Sequence, residues 1–424
     1  MLHTVKSVAW GLPTVCTVLL FAFYFTVRSR VYHVRNFFPM IKTSFRELTK
    51  KSGGISAASA MATSLGGTIG IGSITGVAVC IACGGKGSVF WMWAAGFCGC
   101  MLKYAETNVA VRYRVRDGDI CSGGAMYALK ANGRTFLGSV FAAAAILASF
   151  GTGNMTQSSS VSRVLADDGI SESVTGVVMA LLFLLAVSGG RKAIASVSAK
   201  IVPLSSVIYL LVVTAAIAAR ITFLPSVVSD IVRSAFGLRQ IGGGVAGYTV
   251  SQAIRTGVTR CVFSSEMGMG SSPIVHSANE SATPHTQGSW GIIETVCDVF
   301  VFSTLTAFAL LLYDEPDAEG VFHALLGSFG SVLLPLLLAV FGFASMISWC
   351  FYAESCMSYL RFGKKARLFY RVLSAFCVFL GAVLDGMAIW DLADVLNLFM
   401  MIPNLYLLFI KRKEICLCFG KTKR

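Results

Sequence analysis

The stretch "SLGGTIGIGSITG", Ser64 to Gly76, carries five glycines inside an apolar run long enough to cross a membrane. Lipid gives backbone N–H and C=O groups no hydrogen-bond partner, so unwound chain at that depth is tolerated only where protein buries it or where it lines a polar cavity. The glycines therefore predict a helix interrupted at a ligand site. Composition supplies the membrane: of 424 residues 55% are hydrophobic and only 13% charged, with a mean hydropathy of +0.72. A soluble domain carries about 25% charged residues.

Apolar runs of roughly 20 residues, the length that spans a bilayer, fall at 7–27, 54–84, 87–110, 136–163, 171–188, 200–220, 249–277, 287–313, 329–360, 366–388 and 391–410. They predict an all-α polytopic membrane protein of eleven transmembrane helices. The first run has full span length and is followed by basic residues rather than a small-residue cleavage site, so it is expected to stay as a span and not to be removed as a leader.

A net charge of +14 could suggest nucleic acid, but its distribution points to lipid instead. Lys and Arg number seven in 28–53, six in 103–134, three in 191–200, five in 361–371 and six from Lys411 onward. The connection with Asp314, Glu315, Asp317 and Glu319 is acidic. Basic connections stay in the cytoplasm, which places the amino terminus outside, the carboxyl terminus inside and the chain as a multi-pass protein of the cell membrane. The cysteines lie mostly in apolar runs and read as small hydrophobes, the Cys80-x-x-Cys83 pair included. No GxxxxGK[ST] loop occurs, so neither nucleotide nor nucleic acid is an expected partner.

The break has a counterpart. Residues 263–273, "FSSEMGMGSSP", are again glycine-rich and again mid-span, about five spans later. Paired interrupted segments in corresponding halves point to inverted repeats with a binding site at the midplane. The organisation expected is a peripheral helix and basic loop over 1–53, a first repeat over 54–220 broken near 66–73, an extracellular connection over 221–248, a second repeat over 249–410 broken near 263–273, and a basic tail over 411–424.

Several blocks carry a family resemblance: "GGKGSVFWMW" (84–93), "GTIGIGSITGVA" (67–78), "KYAE" (103–106), "GGAMY" (123–127), "GNMTQSSSV" (153–161), "AGYTVSQAIRTGVTRCVFSSEMGMGSSP" (246–273), "YAE" (352–354) and "NLFMMIPN" (397–404). In this order the chain resembles the alanine or glycine:cation symporters, the sodium:alanine symporter family. The resemblance implies a LeuT-type 5+5 inverted-repeat core with an extra amino-terminal helix. It also implies import of a small neutral amino acid, alanine or glycine and D-alanine among the candidates, with sodium as coupling cation and no other cofactor.

Under that resemblance Gly70, Ile71 and Gly72 offer backbone donors to the substrate carboxylate, while carbonyls around Phe263, Ser264 and Ser265 face its ammonium. Half-helix ends of opposite polarity suit a zwitterion. Asn154 and Gln157, one helical turn apart, reach toward the same cavity, and Trp349 with Phe263 walls it against large side chains. Thr68, Ser73 and Ser345 are the sodium candidates.

Ile71, Ser73, Ser265 and Ala344 depart from the family pattern and withhold side-chain oxygens. Intramembrane charges invite a functional reading. Glu266 and Asp298 are candidate gating or proton-carrying carboxylates, with Arg255 and Arg260 as candidate partners of Glu266, whereas Lys103 and Glu106 read as a structural i,i+3 pair. A proton-coupled transporter of the same fold is the alternative, and a channel-like pore a weaker one. An enzyme is not expected, because the five histidines at 3, 33, 276, 285 and 323 lie at or near span ends instead of converging.

Overall fold

The computed structural model describes residues 12–48, 54–117, 120–167, 169–237, 243–281, 283–384 and 386–420. Over these the chain is almost wholly helical. The longer helices, with one short one that matters to the site, are α1 (Leu12–Arg28), α2 (Ala57–Thr68), α3 (Ile71–Gly84), α4 (Ser88–Arg112), α5 (Thr135–Ala148), α6 (Thr156–Asp167), α7 (Glu172–Val187), α8 (Gly190–Ala219), α9 (Leu224–Ala235), α10 (Gly243–Ser265), α11 (Pro273–His276), α12 (Pro284–Thr295), α13 (Thr304–Tyr313), α14 (Ser328–Tyr359), α15 (Lys364–Val383) and α16 (Gly386–Gly420). A small antiparallel hairpin, β1 (Val115–Asp117) with β2 (Ile120–Ser122), pairs Arg116 with Cys121. This hairpin is the departure from the all-α expectation.

Seven helical stretches among the described residues are long and apolar enough to cross a membrane: Ala57–Gly84, Thr135–Asp167, Gly190–Ala219, Pro284–Tyr313, Ser328–Tyr359, Lys364–Val383 and Val395–Cys416. Two shorter apolar helices, Pro13–Arg28 and Glu172–Val187, accompany them. With Leu181, Leu185, Leu204, Leu211, Phe369 and Phe376 all exposed, α7, α8 and α15 turn large apolar side chains outward. Lipid, not water, suits such a surface. The interior is packed by aromatic residues, with Tyr209 stacked on Phe302 at 5.8 Å and on Phe322 at 5.9 Å.

Local chemistry sets the helix ends. Ser56 caps α2 by accepting from the Ser59 N–H at 3.1 Å, and Thr283 with Thr286 forms a reciprocal capping box at the start of α12, each satisfying donors that the first turn leaves free. Both expected breaks fall at helix junctions. The first is narrower than the glycines suggest, because α2 runs through Thr68 and only Ile69 and Gly70 are extended before α3 begins. The second is wider: α10 ends at Ser265, and residues 266–272 turn through positive φ at Glu266, Gly268 and Gly270 before α11.

The connections sort to two ends. At one end Arg112 pairs with Glu414 at 2.9 Å, Arg114 donates to the Asn279 and Glu280 carbonyls, Arg191 to Ser122, and Arg371 to Glu354 and the Ser188 carbonyl. At the other, Lys86 lies 3.8 Å from Asp230, Trp91 donates to the Ala235 carbonyl, and Arg220 donates to the Leu312 carbonyl while stacking on Tyr313.

Candidate functional site

The two breaks face each other across one small cavity. Ile71 and Gly72 stand at the N–H end of α3, and Phe263, Ser264 and Ser265 at the carbonyl end of α10. Gly67, Thr68, Gly70 and Gly72 line the cavity from the first break, and Phe263, Ser264 and Glu266 from the second. Gly72 packs beside Ser264: a Cβ there would lie in ordinary contact, 3.7 Å from the Ser264 Cα. Gln157 on α6 and Ser345 with Trp349 on α14 complete the walls. The Gln157 Oε1 is buried and finds no partner among the described residues, while its Nε2 donates to the Thr152 carbonyl at 3.3 Å.

Five of the sequence-predicted residues do not line this space. Ile71 turns its side chain into the core beside Gly342, leaving only its backbone to contribute. Asn154 is buried with neither amide atom partnered among the described residues. It sits in a π-helical segment, Ser149–Met155, whose wider turn breaks the i,i+3 alignment with Gln157. The Ser265 carbonyl is occupied, accepting from Lys103 Nζ at 2.6 Å, and its hydroxyl donates to the Cys261 carbonyl at 2.6 Å.

Ser73 and Asp298 form a separate cluster behind the cavity wall. The Ser73 and Ser264 hydroxyls donate to Asp298 Oδ1 at 2.6 and 2.7 Å and lie 3.2 Å from each other, while Oδ2 is buried and unpartnered among the described residues. The sodium candidates are thus divided. Thr68 and Ser345 line the cavity, whereas Ser73, at the third position of α3, points across to α10 and the second π-helical segment, Val296–Ser303.

The charged residues also regroup. Lys103 and Glu106 are not partners: Lys103 lies 3.5 Å from Glu294, and Glu106 accepts from Asn404 at 2.5 Å. The α4 twist sends Glu106 toward α16 and Lys103 toward α12. Glu266 accepts from the Ser271 hydroxyl at 2.5 Å. Arg255 is exposed, while Arg260 lines the cavity and donates to the Gly76 carbonyl at 2.7 Å. His276 is not at a free span end. It is buried, 3.1 Å from both Glu294 Oε2 and Ser64 Oγ and 2.8 Å from Gln287 Oε1. His3 lies outside the described residues.

Four cavity residues were not singled out in the sequence: Gly67, Thr152, Thr156 and, as a wall rather than a partner of Glu266, Arg260. A charge within an apolar run was the available signal for Arg260. The two threonines gave none, since threonine is common in spans.

The comparison with known proteins says which kind of protein builds this cavity. The model of the sodium:alanine symporter family matches residues 1–418. The chain belongs to the sodium:alanine symporter family. It is a transporter and not an enzyme. It is 32% identical over 427 residues to "Sodium/alanine symporter AgcS" of Methanococcus maripaludis, covering 96% of this chain and 93% of that one. An uncharacterized transporter of Haemophilus influenzae is 34% identical over 98% of this chain and 94% of its own. "Probable sodium/glutamine symporter GlnT" of Bacillus subtilis is 32% identical over 97% and 87%. The two relatives named for an amino acid and sodium thus match 96% and 97% of this transporter.

Proposed function

We propose that this transporter is a secondary active symporter that imports alanine or glycine with sodium across the cell membrane. The observation that carries the reading is the juxtaposition of the N–H end of α3 with the carbonyl end of α10 on one cavity. A free amino acid offers a carboxylate to the first and an ammonium to the part of the second that lines the cavity, at Phe263 and Ser264, apart from the Ser265 carbonyl that Lys103 takes. Phe263 and Trp349 close the side-chain direction, which favours hydrogen or methyl over larger groups. AgcS is named for sodium and alanine, in keeping with this choice.

In the membrane we place eleven crossings by adding α4 and α10, of 25 and 23 residues, to the nine apolar helices. At about 1.5 Å per residue both exceed the ~30 Å hydrocarbon core. The breaks in α2–α3 and α10–α11 relate the halves as a LeuT-type 5+5 repeat, and the basic end carrying Arg112, Arg191 and Arg371 faces the cytoplasm.

Sodium is a hard cation that seeks several oxygens. Asp298 with the Ser73 and Ser264 hydroxyls supplies three at one buried point, so we assign the ion there and leave Thr68 and Ser345 to the substrate cavity. The test is uptake of labelled alanine in proteoliposomes with glycine, leucine, glutamate and glutamine as competitors. Glycine alone should compete. Strong competition by glutamine would move the substrate toward that named for GlnT, with Thr152, Thr156 and Gln157 receiving the amide.

A further inference from the structure

Lys103 is fully buried, and its ammonium bridges what the second break separates. On one side Nζ donates to the Ser265 carbonyl, the last residue of α10, at 2.6 Å; on the other it lies 3.5 Å from Glu294 Oε1. Glu294 in turn accepts through Oε2 from the Ser272 hydroxyl at 3.3 Å and lies 3.1 Å from His276 Nε2, both beyond the break. The carbonyl end of a helix attracts positive charge, and here a cation of the chain itself meets it.

We propose that the Lys103 ammonium is a resident cation of the transport site, filling the place at the α10 carbonyl end that a second coupling ion would otherwise take, so that one sodium accompanies each amino acid. This rests on the sodium reading given above. An ion that must enter and leave would have to be held by carbonyl oxygen and carboxylate at this point. Lys103 supplies the same charge to the same two oxygens permanently. Lys103 is thereby a positioning residue: it touches neither the proposed substrate nor the proposed ion, and acts by holding the end of α10 and the residues after the break in register.

The experiment counts charge. In proteoliposomes of the unaltered protein, the reversal potential of alanine-driven current under fixed sodium and alanine gradients should give one positive charge per alanine. Sodium dependence of uptake should follow a Hill coefficient near 1. In Lys103→Ala the half-saturating sodium should rise at least tenfold and the Hill coefficient should climb toward 2, as a second sodium occupies the vacated point; a lysine that served only packing would change the maximal rate and leave the coefficient alone. Two charges per alanine in the unaltered protein, or an unchanged Hill coefficient in a folded Lys103→Ala, would overturn the proposal. A count of two charges overturns the proposal even where that variant does not fold. A complete lack of sodium-driven uptake by the unaltered protein would instead remove the sodium reading on which the proposal stands.

Discussion

Trp349 is only 1% exposed, edge-on to Tyr352 at 5.5 Å, with Gly153 packed directly on its Cβ. A methyl at Gly153 has nowhere to go but against the indole, which must then move into the cavity. Gly153→Ala is therefore expected to weaken alanine uptake more than glycine uptake; overpacking costs about 1–3 kcal/mol, or roughly 5- to 150-fold. Trp349→Ala should do the reverse and let leucine compete. Competition assays on the two variants read both, and unchanged side-chain preference in Trp349→Ala would remove that residue from the pocket. At Asp298 the issue is the ion. Truncating a charged ligand removes more than truncating a hydroxyl, so Asp298→Ala should raise half-saturating sodium by a larger factor than Ser345→Ala. The opposite order would return the ion to Thr68 and Ser345. Phe263 and Trp349 were expected at the cavity from the family resemblance, Gln157 from its helical spacing to Asn154, and Ser345 was expected as a sodium ligand; all four line the cavity. The Asp298 cluster was not, since Ser73, Ser264 and Asp298 lie on three segments that only tertiary packing brings together.

At the scale of elements, the glycines mark where backbones touch rather than only where helices end. A Cβ on Gly257 would collide with the Ser88 carbonyl oxygen and the Met92 nitrogen of α4, and one on Gly67 with the Tyr352 hydroxyl. Backbone cannot swing aside as a side chain can. Gly257→Ala should accordingly lower the thermal midpoint of the detergent-solubilised protein, by an order of 1–3 kcal/mol of overpacking strain, and Gly67→Ala by less, which melting curves of the two variants compare directly. Both breaks could be placed from the sequence to within a few residues, because glycine clusters in apolar runs have few other uses. The π-helical segments Ser149–Met155 and Val296–Ser303 could not. Nothing in "SFGTGNM" announces a wider turn, so a 3.6-residue period put Asn154 beside Gln157. At the second segment Glu294 and Asp298 part company: Glu294 joins Lys103 and His276 while Asp298 joins the serines.

Across the whole molecule, the alternation of basic and acidic connections is matched by two ends with different partners: Arg112, Arg114, Arg191 and Arg371 at one, Lys86, Asp230 and Arg220 at the other. On a background freed of native thiols, a cysteine at Glu315 should react with an impermeant reagent applied to intact cells and a cysteine at Lys364 should not. The reverse pattern would invert the orientation. Between those ends the cavity lies where the start of α3 meets the end of α10, with the buried Asp298 carboxylate behind it, and the proposed symport rests on this arrangement. The most direct measurement is accumulation of labelled alanine in proteoliposomes under separately imposed gradients. A sodium gradient alone should drive alanine above its external concentration, and a proton gradient with choline in place of sodium should not. Accumulation that follows the proton gradient and ignores sodium would contradict the assignment and turn Asp298 and Glu266 into proton carriers.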